Sequence, residues 1–155
     1  MNVPVMNNNS SKKVVAVSGG FDPIHVGHVR YLEEAKKLGD WLVVIINNDN
    51  WLRTKKGRAF MQENDRKEII EALRCVDEVI ISQHLINDSD MSVCRELEQV
   101  MPHIFANGGD RFADNIPEFI FCNDNNIEMV FNVGHGGKVR SSSDLLAAYH
   151  QKIKL

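Results

Sequence analysis

Short apolar runs alternate with longer stretches of helical period along this chain. Val14–Ser18, Trp41–Ile46, Glu78–Ile81, Ile104–Ala106 and Ile127–Phe131 read as five strands. Trp41–Ile46 is apolar throughout, as a strand covered on both faces must be. Val26–Leu38 reads as a helix with Tyr31, Leu32, Ala35 and Leu38 on one face, stopped by Gly39. Asn47 to Phe60 reads as a long polar and basic loop. Asn64 or Asp65 caps a second helix that runs to about Arg74. Ser89 or Asp90 caps a third, which ends near Met101, before Pro102. Pro117 suits the first turn of a fourth, and Ser142 or Ser143 caps a fifth. The alternation predicts an α/β fold: a single Rossmann-like domain, a five-stranded parallel sheet with helices on both faces.

Ligands of such sheets bind in the crevice beyond the carboxyl ends of the strands. Four unusual segments fall there. Ser18-Gly19-Gly20-Phe21-Asp22-Pro23-Ile24-His25-Val26-Gly27-His28 follows the first strand, and the basic run Arg53 to Arg58 follows the second. Asn107-Gly108-Gly109-Asp110-Arg111 follows the fourth, and Gly134 to Ser143 follows the fifth. Their convergence predicts one site.

Composition narrows the class. The 155 residues suit one domain, and a net charge of −3 gives no general nucleic-acid binder. Three cysteines far apart, with no C-x-x-C, read as reduced thiols of a cytoplasmic protein. No apolar stretch approaches the ~20 residues of a membrane span. Met1 to Lys13 is rich in Asn and Ser and reads as a disordered lead-in, leaving 14–155 as the folded domain.

A strand-to-helix turn presents backbone N–H groups and a helix dipole to an anion. His25 and His28 can therefore hydrogen-bond phosphates; they can also bind a metal as an i,i+3 pair, or simply cap the helix. Gly19, Gly20 and Gly27 keep the backbone clear of a ligand. Phe21 is a pocket wall or core, and Asp22 holds the turn or reaches the ligand. Lys55 and Lys56 either reach phosphates or belong to a solvated charge run. Gly109 and Asp110 form a nucleotide-lining turn or a plain one, and Arg111 touches phosphate or pairs with Asp114. Arg140 with Ser141, Ser142 and Ser143 makes a phosphate-binding helix start, of which plain capping explains one serine. Gly134 to Lys138 reads as a lid on glycine content alone.

The H-x-G-H of His25 to His28, behind a G-x-F-D-type turn, resembles the signature of the nucleotidylyltransferase superfamily. Arg140 to Ser143 is similar to its second signature. The resemblance runs from about Val14 to Tyr149. It implies transfer of a nucleoside monophosphate from a triphosphate, carried with Mg²⁺, to a small phosphorylated acceptor, releasing pyrophosphate. It also implies phosphate contacts for His25, His28 and Ser142, a lysine at Lys55 or Lys56, an acceptor contact for Arg66, and a homodimer in which Trp51 packs across the axis. Leu38 to Val44 and Val76 to Ile80 resemble the cytidylyltransferase branch, including the glycerol-3-phosphate enzymes. This makes CMP transfer from CTP the first expectation. The alternatives are an adenylyltransferase using ATP, with sugar phosphate, FMN or nicotinamide mononucleotide as acceptor, or a nucleotide-binding protein without catalysis.

Overall fold

The computed structural model describes residues 12–109, 111, 116–134 and 141–153. Five parallel strands form one sheet in the order β3-β2-β1-β4-β5. They are β1 (Val14–Gly19), β2 (Trp41–Ile46), β3 (Glu78–Ile81), β4 (Ile104–Ala106) and β5 (Glu128–Val130). Among the described residues, six helices connect and flank them: α1 (Val26–Lys36), α2 (Asp49–Lys56), α3 (Glu63–Glu71), α4 (Cys94–Val100), α5 (Glu118–Asp124) and α6 (Ser142–Ile153).

Alternate residues of each strand feed two cores. Val15, Val17, Val44 and Ile46 pack under Leu32 and Ala35 of α1 and Ile70 of α3. Ala16, Ile45 and Phe105 pack on the other face with Leu97 of α4 and Cys122 of α5. Among the described residues, Phe105 is the largest fully buried apolar side chain. Its truncation to Ala should cost about 3–5 kcal/mol. The chain moves outward from β1 through β2 to β3, then returns to the other side of β1 for β4. The strand order thus reverses between β1 and β4, which fixes where a ligand crevice opens.

Several elements differ from expectation. The loop expected over Asn47 to Phe60 contains α2. Asn48 caps it, accepting from Trp51 N at 2.9 Å, Leu52 is its buried anchor, and Gly57 ends it at φ 81°. The cap expected at Asn64 or Asp65 is absent: α3 begins at Glu63 behind Gln62, which makes no side-chain cap bond. The helix expected from Ser89 or Asp90 begins only at Cys94, because the Asp90 carboxylate holds a turn with Ser92. Gly39 follows α1 without a left-handed backbone; a Cβ there would stand 2.6 Å from the Lys13 carbonyl oxygen. That carbonyl accepts from Asp40 N and Trp41 N, so Lys13 is already pinned to the fold.

Candidate active site

A cavity of about 400 Å³ opens at the β1/β4 switch point. Gly19, Phe21, His25, Gly27 and His28 enter it from the β1–α1 turn, and Lys56 from the end of α2. Gly109 follows β4, and Ser141, Ser142 and Ser143 open α6 on the far wall. Four chain segments distant in sequence therefore meet at one place. Asp110, Arg140 and all of the lid expected over Gly134 to Lys138 except Gly134 lie outside the described residues.

The two imidazoles are locked together. His25 is the N-cap of α1, and its Nδ1 accepts from Gly27 N at 3.1 Å. His28 Nδ1 accepts from His25 N at 3.2 Å, completing a reciprocal capping box. The rings stack with centroids 3.7 Å apart, and Phe21 meets His28 edge-on at 5.0 Å. An Nδ1 that accepts carries no proton, so each neutral ring bears its proton on Nε2. Burial, then the neighbouring His25 and Lys56, push the His28 pKa down to about 3. His28 is thus a neutral Nε2–H donor at pH 7. Capping and phosphate binding are compatible here, because they use different nitrogens.

The turn is held from beneath. A Cβ on Gly19 would meet the Phe21 ring at 3.1 Å, and one on Gly20 would meet Leu52 at 3.1 Å. Packing alone therefore makes a larger residue tight at both positions. Phe21 is buried at φ 51°, both a wall of the cavity and part of the core. Asp22 does not reach into this cavity. Its two carboxylate oxygens accept from Phe60 N at 2.7 Å and Met61 N at 2.6 Å.

Arg66 is also placed differently from its expected acceptor contact. It is 1% exposed and donates to the carbonyls of Met61, Gly20 and Asn47 and to Asp49 Oδ1, all within 3.0 Å. A guanidinium so committed positions the loops over it. Lys56 lines the cavity, whereas the exposed Lys55 does not. The Ser142 hydroxyl donates to Pro23 O at 2.8 Å, tying α6 to the histidine turn. Ser141 Oγ supplies the cap, accepting from Asp144 N at 3.4 Å. What α6 offers an anion is the first-turn N–H groups that the Ser141 cap does not take.

Tyr31 was missed as a site residue. It lines the cavity and donates its hydroxyl to Ala106 O, bridging α1 to β4 across the switch point. Its signal was the spacing: His25, His28 and Tyr31 recur every three residues on one helix face. Trp51, expected at a dimer axis, donates Nε1 to Met91 O at 2.9 Å. Among the described residues, no group of three or more His, Cys, Asp or Glu could hold a metal ion. None of their helices is long and apolar enough to cross a membrane.

A switch-point cavity with paired imidazole donors and a facing helix start is the arrangement of a nucleotidyltransferase-type α/β domain. The chain belongs to the cytidylyltransferase-like family, whose model matches residues 16–139. It is 43% identical over 103 residues to the FAD synthase of Ferroglobus placidus, covering 66% of this chain and 62% of that protein. It is 34% identical over 142 residues to the bifunctional protein HldE of Citrifermentans bemidjiense, covering 89% of this chain and 28% of that one. Among solved structures, the lipopolysaccharide core biosynthesis protein of Thermoplasma volcanium matches with TM-score 0.66 and 29% identity, over 81% of this chain and 99% of that one. The pantothenate synthetase of Thermus thermophilus matches with TM-score 0.65 at 13% identity, over 94% of this chain and 65% of that one, a likeness of fold.

Proposed function

We propose that this protein transfers a nucleoside monophosphate from a nucleoside triphosphate to a small phosphate ester and releases pyrophosphate. The observation that carries this reading is the His25/His28 pair, whose Nδ1 atoms accept from the backbone and whose rings line the cavity beside the start of α6. An oxygen of the acceptor phosphate attacks the α-phosphorus in line. The bond from that phosphorus to the bridging oxygen breaks, and pyrophosphate leaves with the electron pair. The acceptor is already largely dianionic at neutral pH, since a phosphate monoester has its second pKa near ~6. It needs no strong base. The Nε2–H donors, Lys56 and the N–H groups of α6 stabilise charge that builds on the phosphates. Mg²⁺ would ride on the triphosphate, held by phosphate oxygens and water, and would neutralise part of its charge.

The donor we propose is ATP, in place of the CTP first expected. FAD synthases of Ferroglobus placidus and Thermococcus sibiricus are 43% and 40% identical to this chain over 103 and 105 residues. Forming FAD from FMN adds an adenylyl group, and this supports adenylyl transfer here. The test is pyrophosphate release with Mg²⁺, running ATP and CTP in parallel. The acceptors are FMN, sugar 1-phosphates, glycerol 3-phosphate, phosphocholine and nicotinamide mononucleotide. Turnover with ATP and one acceptor is expected. Turnover with CTP alone would reverse the donor. Nucleotide binding with no turnover across the panel would favour a binding protein, and no nucleotide binding would overturn the reading.

A further inference from the structure

Lys56 reaches the cavity from the far end of α2, a helix with little apolar packing of its own: Trp51 is half-buried, and Leu52 is its one fully buried apolar residue. Its eight residues span about 12 Å, so a tilt of about 5° at its start moves its far end by about 1 Å. The start of α2 is fixed by hydrogen bonds to the segment that follows β3. Asn48 N donates to Ser82 Oγ at 2.9 Å. The side-chain amides of Asn48 and Asn50 both donate to His84 O, at 2.8 and 3.0 Å. Trp51 Nε1 donates to Met91 O.

The His84 imidazole holds that segment in shape. Its Nε2 lies 2.8 Å from Ser92 O, and its Nδ1 lies 2.7 Å from Ser82 Oγ. A carbonyl oxygen can only accept, so Nε2 donates, and in the neutral ring Nδ1 accepts from the Ser82 hydroxyl. Asn48 N–H, Ser82 O–H and His84 Nε2–H therefore point the same way along one chain of bonds. Ser82, His84 and Ser92 are all buried, where each such bond is stronger than in water. We infer that His84 is a positioning residue for Lys56: it orients Ser82, closes the segment through Ser92, and so fixes the start of α2 and the place of Lys56 in the cavity. The inference rests on the transfer reaction proposed above. A misplacement of about 1 Å in a group that stabilises a transition state can cost about 100-fold in rate.

The test is a double-mutant cycle on the full chain, reading pyrophosphate release with whichever pair of the panel above turns over. His84→Ala should lower turnover about tenfold or more in the wild-type background. In the Lys56→Met background it should cost less than about twofold, because the group it positions is already gone. His84→Asn, whose Oδ1 stands where Nδ1 stood and accepts from Ser82, should recover most of the loss. A general loosening of the fold would instead lower turnover by the same factor in both backgrounds. Should His84→Ala fail to fold, Ser82→Ala takes its place in the cycle, since it removes the acceptor of Asn48 N and leaves the ring. Equal losses in the two backgrounds, or full turnover in folded His84→Ala, would overturn the inference and leave the transfer reaction standing. A wild-type chain that turns over no pair would overturn the transfer reaction, and this inference with it.

Discussion

On one side of the β1 terminus the cavity is rich in donors: two neutral imidazoles, Lys56 and the start of α6. On the other side, a hollow of about 250 Å³ is walled by Asn47, Trp51 and Glu118, and Glu118 Oε2 and Asn47 Oδ1 are buried with no hydrogen-bond partner. The contrast is built by different means. The imidazole pair is local, made by two histidines within one helical turn. The acceptor side is tertiary, made by residues from the β2–α2 junction and α5. Arg66 lies beneath the turn after β1 and the β2–α2 junction, donating to the Gly20 and Asn47 carbonyls.

Breaking that shared support should have the largest effect. Arg66→Met leaves Asp49 without its ion-pair partner and three carbonyls without their Arg66 donor. Loss of one partner of a buried pair should lower stability by about 3–5 kcal/mol, read by denaturant unfolding. An Arg66→Met protein as stable as wild type would separate the two sides.

The donor side alone is tested at His28. His28→Ala should fold and lose at least ~100-fold in turnover. His28→Asn offers Oδ1 to the His25 N–H but has no Nε2–H. It should recover stability relative to Ala while remaining equally inactive. Activity restored by Asn would reduce His28 to a capping residue.

That division also explains what could be read in advance. The strands and the histidine turn were legible because their signals are contiguous: unbroken apolar runs, then several special residues within one turn. The helix α2 was hidden because Trp51 and Leu52 are its only apolar residues amid basic neighbours, so no period showed. Arg66 is expected at an acceptor only through the resemblance; its burial has a signal of its own, since it sits four residues before the buried Ile70 on the same helix face. Ser142 was read as a phosphate donor because the triple serine says nothing of Pro23, which lies 119 residues away. Glu118 and Asn47 had no signal, since being unpartnered is a property of the folded surroundings. The expected ligand chemistry of the Gly109-Asp110 turn extends outside the described residues.

The lysine pair sharpens the donor side further. Lys56→Met removes a cation from the cavity and should lower turnover roughly 10- to 100-fold. Lys55→Met, changing an exposed side chain outside it, should stay within about twofold. Equal losses in the two variants would remove Lys56 from the site.

The smallest expected effect is a shift in His28 titration, measured by NMR across a pH series. In the folded protein its pKa is held down to about 3, with Lys56 contributing to the depression. Removing that cation in Lys56→Met should therefore move the pKa up toward its ordinary value of about 6.5. The sign for stability follows by linkage. Between about pH 3 and 6.5 the unfolded chain binds a proton at His28 and the folded chain does not, so stability falls as the pH is lowered through that window. Lys56→Met should narrow the window from below and make the acid-side loss shallower. A His28 titration unmoved by Lys56→Met would mean that burial and His25 alone keep the ring neutral. Lys56 would then act on the ligand and not on the imidazole.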